Sequence, residues 1–116
     1  MQQFVIYGAG KIGKYIINKS ISQGFRECIK AVYDIKQEDL ELKNKYIDIK
    51  SPLLLFREEK DINIIVALEN QIMMQKVVLS LFEIGFNNIF LVDHNMIMGE
   101  KNPLDVNGGF SIWIKK

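Results

Sequence analysis

The hydrophobic positions of this chain follow two different periods. Five short runs of apolar and β-branched residues predict strands: Phe4–Tyr7, Ile29–Tyr33, Tyr46–Ile49, Ile62–Leu68 and Ile89–Val92. Two longer segments repeat apolar residues at helical spacing, the first from Lys11 to about Gln23 and the second from Asn70 to Gly85. Strands that alternate with helices favour a doubly wound, mainly parallel sheet of about five strands, with helices on both faces. We therefore predict an α/β fold.

Cap and turn residues mark where the predicted helices begin and end. Gly24 follows the first helical segment and Gly85 ends the second, as helix-terminating glycines do. Ser51, which precedes a proline, predicts an N-cap and one short helix over Pro52–Glu59. Residues 36–45 are charged and lack a clear period, so we expect a surface connection there.

The alternation of strands and helices stops after residue 93. Asparagine, glycine and proline make the next segment loop-like until apolar residues alternate again from Phe110 to Ile114. We expect one domain over residues 1–93 and a tail over residues 94–116, with a candidate edge strand at 110–114. The alternation also fits contact with a second subunit, or a boundary within a longer parent protein, and composition does not separate these alternatives.

Composition narrows the class of protein. The 116 residues suffice for one compact domain, and 15 basic against 14 acidic side chains give a formal charge of +1, which argues against nucleic acid as a partner. Cys28 is the single cysteine and His94 the single histidine, so we predict neither an internal disulfide nor a metal site. No apolar run approaches the ~20 residues of a membrane span, so we expect no membrane insertion and a cytoplasmic setting.

The first predicted strand runs directly into a glycine turn, Gly8-Ala9-Gly10-Lys11-Ile12-Gly13. In such a turn the first glycine permits a sharp reversal, the second lets a phosphate approach the backbone, and the third lets the helix pack closely. The first amides of the following helix have no intrahelical acceptors and lie at the positive end of its dipole, so a phosphate is a natural ligand. The flanking strand and helix favour nucleotide binding over a purely structural turn.

Two charged residues lie near this turn in the predicted fold. Lys11 is beside the positive helix end, where it is either a solvated side chain, the commoner case, or a phosphate contact. Asp34 ends the second strand and could accept hydrogen bonds from a ribose diol, although a solvated aspartate fits equally well. Because an acidic side chain repels a ribose phosphate, NAD is preferred over NADP if a dinucleotide binds.

The segment that leaves the central strand reaches the same edge of the sheet. Asn70 is expected to cap the next helix and could also touch a ligand, whereas Glu69 would face a phosphate unfavourably. His94 follows the last predicted strand there and could act as an acid or base, but it has no identifiable partner. The chain contains no P-loop, His-Glu-x-x-His or Gly-x-Ser-x-Gly motif, so we name no catalytic residue.

The order of these motifs resembles the small Rossmann-like modules of bacterial surface-polysaccharide and nucleotide-sugar enzymes. The glycine turn, then Ala31–Asp34, then Ile64–Asn70 and Gly85–Phe90 are similar to the N-terminal domain of sugar N- and O-acyltransferases of the PglD type. The resemblance implies a Rossmann-like fold and a site for the nucleotide part of a UDP-amino-sugar at Gly8, Gly10, Lys11, Asp34, Ile35 and Asn70. The catalytic histidine and acyl-CoA site of that family lie in a C-terminal β-helix, so the resemblance implies a binding module without complete catalytic machinery.

We therefore predict a nucleotide-binding module of surface-glycan biosynthesis, with a UDP-sugar as the favoured ligand and NAD as the second. The predicted ligand-binding residues are Gly8, Ala9, Gly10, Lys11, Ile12, Gly13, Asp34, Ile35, Ala67 and Asn70. The alternatives are an NAD(H)- or CoA-sensing regulatory Rossmann domain and a ligand-free interaction domain. The expected protein partner is a second copy of the chain or a separate catalytic domain.

Overall fold

The structure, a computed structural model, describes residues 3–91 and the backbone of residues 92 and 111–114. Its strands and α-helices are β1 (Phe4–Tyr7), α1 (Lys11–Ser22), β2 (Ile29–Tyr33), α2 (Leu40–Asn44), β3 (Ile49–Lys50), β4 (Asn63–Val66), α3 (Gln71–Ile84), β5 (Asn88–Val92) and β6 (Ser111–Ile114). Two 3-10 helices, Arg26–Cys28 and Pro52–Arg57, complete the described elements.

The strands form one sheet in the order β3-β2-β1-β4-β5-β6. Strands β1 to β5 are parallel, and β6 joins the edge antiparallel to β5. The predicted α/β fold, a Rossmann-like sheet that is mainly parallel, is confirmed. The chain moves outward from β1 to β3 on one side and from β4 to β5 on the other, so the strand order reverses between β1 and β4. In open α/β sheets a ligand binds at the carboxyl ends of the strands beside such a reversal.

Each face of the sheet has its own hydrophobic core. Phe4 and Ile6 of β1 pack with Ile16 and Ile17 of α1 on one face. Val5, between them, packs on the other face in the cluster that contains residues of α3. Side chains of successive strand residues point to opposite faces, so a strand covered on both sides needs a continuous apolar run. This requirement explains the nearly uninterrupted apolar sequence of β4.

The connection after β2 differs from the prediction. Residues 36–45, expected to be irregular, contain α2, and the Asp39 side chain accepts a hydrogen bond from the Leu42 amide as its N-cap. The strand expected over Tyr46–Ile49 starts only at Ile49, because Tyr46 has a φ of 60° and the Ile47 amide donates to the Leu42 carbonyl. These residues close the end of α2 instead of pairing with β2.

Other element ends follow their predicted caps with small shifts. Ser51 accepts from the Leu53 amide, but the helix that follows is a 3-10 helix that ends at Arg57 rather than Glu59. Gly85 ends α3 in the left-handed conformation with a φ of 113°. The strand predicted over Ile62–Leu68 is shorter, at Asn63–Val66.

The C-terminal predictions are only partly within the described residues. The backbone of β6 pairs with β5 from Val92 opposite Ser111 to Ile89 opposite Ile114. Phe110, His94 and the rest of segment 93–110 lie outside the described residues, and the domain boundary at residue 93 stays a prediction. Within residues 3–92 and 111–114, no helix is long and apolar enough to cross a membrane.

Candidate functional site

The glycine turn lies at the carboxyl edge of the sheet, between the ends of β2 and β4. The Gly8 amide donates a 2.8 Å hydrogen bond to the Tyr33 carbonyl at the end of β2. On the other side, the Ala67 amide donates a 2.8 Å bond to the Tyr7 carbonyl. The turn is therefore held by both neighbouring strands at the point where the strand order reverses.

Two of the three glycines are required by packing within the protein. Gly8 has a φ of 116°, and a Cβ atom there would lie 2.5 Å from the Ala67 carbonyl oxygen. A Cβ atom on Gly13 would lie 1.9 Å from the Gly8 carbonyl oxygen. Any other residue at either position would push α1 or β4 away from the turn. These contacts correspond to the roles that the sequence assigns to the first and third glycines.

Gly10 differs from the other two glycines because no packing requirement explains it. Its φ of −82° suits any residue, and a Cβ atom there would meet no other atom within 4 Å. Gly10 is exposed and forms the N-cap of α1, whose first turn contains no acidic residue. The positive end of the α1 dipole consequently faces open space beside a backbone without a side chain.

The Asp34 carboxylate is bonded directly to the turn. Its Oδ2 accepts a 2.6 Å hydrogen bond from the Ala9 amide, and its Oδ1 accepts a 3.1 Å bond from the Lys36 amide. The bond to Ala9 was not foreseen from the sequence, and it means that the Ala9 amide already has an anionic acceptor. An ionised carboxylate has about four acceptor positions, so Asp34 keeps capacity for two further donors.

Tyr7 is a member of this edge that sequence analysis did not select. Its side chain lies on the sheet face that carries α3, beside Tyr33 across the β1–β2 pair. Burial, and then the charge of Asp34, raises the pKa of the Tyr7 hydroxyl above its ordinary value. Because its pKa is raised, that hydroxyl is protonated at neutral pH, and it has no hydrogen-bond partner among the described residues. Its only sequence signal was its position as the last strand residue before Gly8.

The remaining predicted residues differ in their accessibility. Lys11 is exposed, Ile12 is half-buried against the α1 core, and Ile35, beside Asp34, is 76% exposed. Ala67 is buried, and its carbonyl and methyl groups form the surface on which the glycines pack. Asn70 caps α3, with Oδ1 accepting a 3.0 Å bond from the Met73 amide.

An ion pair behind the turn joins α1 to α2. Lys14 Nζ lies 2.5 Å from Asp39 Oδ2. The hydrogen bond from Lys14 lowers the pKa of the Asp39 carboxyl, and the same bond raises the pKa of the Lys14 amine. The spacing of Asp39 and Leu42, typical of an N-cap, was the available sequence signal for this element. Asp39 therefore fixes the start of α2 and its contact with α1.

The metal-ligating and nucleophilic residues of the described part of the chain are few. No group of three or more histidine, cysteine or acidic side chains in residues 3–92 could hold a metal ion. Cys28 is buried with a free thiol. Comparisons of the chain with protein-family models, with curated proteins and with solved structures found no match. The functional interpretation therefore depends on the geometry of the turn and on the residues around it.

Proposed function

We propose that the glycine turn binds the phosphates of a nucleotide at the N-terminus of α1. The observation that carries the proposal is Gly10, which is exposed, has a negative φ and would place a Cβ atom within 4 Å of no other part of the protein. Serine, asparagine or aspartate would cap this helix better than glycine does, so a glycine at the exposed N-cap supports close approach of a ligand to the backbone. The amides of the first turn of α1 would donate to the phosphate.

Asp34 supports a ribose position next to those phosphates. Its carboxylate lies against the turn through the Ala9 amide and retains acceptor capacity for two hydroxyl donors. The neighbouring Ile35 is 76% exposed and supplies an apolar surface on which a base could lie. In this arrangement Asp34 disfavours a ribose that carries a phosphate, so the proposed ligand has a free diol.

The class of nucleotide follows from the resemblance to modules of nucleotide-sugar enzymes. We propose a UDP-sugar as the ligand and a role in surface-glycan biosynthesis, in which the chain binds the nucleotide and a separate domain performs the chemistry. NAD shares the diphosphate and the ribose diol that the site would recognise. It is therefore the competing ligand, and a ligand-sensing regulatory domain is the competing function.

The ligand class can be tested by thermal unfolding of the full chain with UDP, a UDP-sugar, NAD, NADH and coenzyme A. A ligand at a hundred times its dissociation constant stabilises the folded state by about 2.7 kcal/mol, which is readily measured. We expect the largest stabilisation with the UDP-sugar. Stabilisation by NADH but not by the UDP-sugar would favour the sensor, and no stabilisation by any of them would favour a ligand-free scaffold.

Variants of the turn and of Asp34 separate binding from folding. Gly10→Val should retain the fold, because a Cβ atom at this exposed position meets no other part of the protein within 4 Å, but should abolish the ligand-dependent stabilisation. Gly10→Ala, which adds one methyl group, should give an intermediate loss. Asp34→Asn should weaken binding of UDP by about tenfold and leave 2′,3′-dideoxy-UDP nearly unaffected, because the loss of a hydroxyl contact to the carboxylate costs about 1.5 kcal/mol. Equal effects on both nucleotides would exclude a ribose contact at Asp34.

A further inference from the structure

The exposed apolar side chains of the described residues are unevenly distributed. Large hydrophobic side chains that are exposed comprise Ile35, Leu40, Tyr46, Leu53, Phe56, Ile72, Met73 and Leu79. The last five belong to the 3-10 helix Pro52–Arg57 and to α3, which pack on the same face of the sheet. None of the eight belongs to α1, which covers the opposite face. The surface formed by the 3-10 helix and α3 is here named the α3 face.

The α3 face also contains a groove where its two elements meet. A groove of about 240 Å³ runs between the 3-10 helix and α3, and its lining is predominantly apolar. Its walls include Leu53 and Phe56 on one side and Val77 and Ile84 on the other. Monomeric proteins rarely expose continuous apolar patches of this kind without a binding role. The α3 face is therefore a candidate interaction surface.

Four residues form the outward stripe of α3: Ile72, Lys76, Leu79 and Glu83. Ile72 and Leu79 are 67% and 58% exposed, and the charged residues Lys76 and Glu83 share their side of the helix. Each pair is separated by seven residues, about two turns, so all four project away from the buried Val78. Lys76 and Glu83 form no ion pair within residues 3–92. The stripe thus combines two apolar residues with one cation and one anion.

We propose that the α3 face binds a second copy of this chain through a two-fold axis perpendicular to α3. Antiparallel pairing of the two α3 helices brings Lys76 of each copy opposite Glu83 of the other and places Leu79 close to the axis. A two-fold interface is self-complementary, so a single Lys–Glu pair on one helix forms two ion pairs in the dimer. A nearly neutral stripe with this order of charges fits its own copy better than a strongly charged partner.

The same axis brings the second element of the face into the interface. Rotation about an axis that lies in the interface and crosses α3 keeps the 3-10 helices of both copies on the same side of the paired α3 helices. Leu53 and Phe56, which are 76% and 53% exposed, then meet their counterparts beside the groove. A stable interface buries about 800 Å² per partner, and α3 is about 21 Å long, so contact over both elements is required.

The proposal is tested by sedimentation velocity and light scattering of the full chain over about 1 to 200 µM, the range in which micromolar dimers assemble. We expect a mass twice that of the 13.4 kDa chain at the upper end. Lys76→Glu and Glu83→Lys should each raise the dimer dissociation constant at least about tenfold. The double variant K76E/E83K should restore it to within about threefold, because both ion pairs form again with reversed polarity.

A matched pair of leucine variants controls for general effects of a new charge. Leu79→Asp should abolish the dimer, whereas Leu40→Asp, at a leucine that is 74% exposed on α2, should leave it unchanged. Circular dichroism would verify that both variants are folded. A monomer at all concentrations, failure of the double variant to restore dimerisation, or equal effects of the two leucine variants would each overturn the proposal.

Discussion

At the scale of single residues, the glycine turn separates the requirements of folding from those of binding. Gly8 and Gly13 are required because a Cβ atom at either position would lie 2.5 or 1.9 Å, respectively, from a backbone carbonyl oxygen. Gly10 has no such contact, so the fold would accept a larger residue in its place. The three glycines of one motif therefore meet different requirements. Substitution of Gly13 should reduce stability, whereas substitution of Gly10 should reduce ligand binding.

We expect Gly13→Ala to destabilise the folded chain by about 3 kcal/mol or more, because its methyl group collides with the Gly8 carbonyl and must displace α1. The matched change Gly10→Ala should cost less than about 1 kcal/mol, since alanine is only a weaker N-cap than glycine. Urea unfolding monitored by circular dichroism measures both. Equal destabilisation by the two variants would mean that the close approach of α1 to the turn is not as the structure describes it.

At the scale of elements, the sequence predicted those parts whose pattern is set by burial. The period of the apolar residues identified α1, α3 and the inner strands β1, β4 and β5 because each buries a regular face. The helix α2 was missed because a five-residue helix is too short to show a period. The N-cap at Asp39 is the sequence signal for α2 instead. Strand β3 begins later than predicted because the residues before it close the end of α2.

The candidate site was predictable only in part for a related reason. Spacing alone identified the glycine turn and placed Asp34 at the neighbouring strand end. It did not reveal that Asp34 accepts from Ala9, or that Tyr7 lies at the same edge, because both depend on the register of β1 and β2. Likewise, Ile72 and Leu79 cannot be distinguished from core residues until the helix is placed on the sheet.

The 3-10 helix is tied to β2 by a carboxylate that should make the stability of the fold sensitive to acid. Glu58 accepts a 2.7 Å bond from the Tyr33 hydroxyl and lies 2.6 Å from Lys30 Nζ. Burial alone would raise the pKa of the Glu58 carboxyl, but hydrogen bonds from Lys30 and Tyr33 and the charges of Lys30 and Lys50 lower that pKa below its ordinary value.

A carboxyl whose pKa is lower in the folded than in the unfolded chain stabilises the fold above its unfolded pKa, near 4.5 for Glu58, and this stabilisation is lost as the pH falls. We expect the free energy of unfolding to decrease between about pH 5 and pH 3 in the wild type. The decrease should be smaller in Glu58→Gln, with the difference measured by urea unfolding at each pH. Parallel curves for the two proteins would contradict a stabilising role for the Glu58 charge.

At the scale of the whole molecule, the glycine turn and the outward stripe of α3 occupy different surfaces. The glycine turn lies at the carboxyl edge of the sheet, where α1 begins. The stripe of Ile72, Lys76, Leu79 and Glu83 projects from the outer side of α3, on the opposite sheet face. Pairing through α3 would leave the turn accessible in both copies, so a dimer of this kind would carry two separate nucleotide sites.

This separation predicts that nucleotide binding and dimerisation are independent. Lys76→Glu should weaken the dimer and leave the dissociation constant for UDP within about twofold of the wild type, because no ligand contact is altered. Gly10→Val should do the reverse and keep the dimer. Isothermal titration calorimetry and sedimentation velocity on both variants provide the comparison. A loss of nucleotide affinity in Lys76→Glu would instead show that the two surfaces are coupled.

We propose above that the backbone amides at the start of α1 bind a nucleotide phosphate. This proposal is tested most directly by two-dimensional ¹H–¹⁵N NMR of the full chain during titration with UDP. We expect saturable shifts of the amide signals of Gly10, Lys11, Ile12 and Gly13, with none in Gly10→Val. Unchanged signals from these four amides at saturating UDP, or shifts confined to another surface, would contradict it.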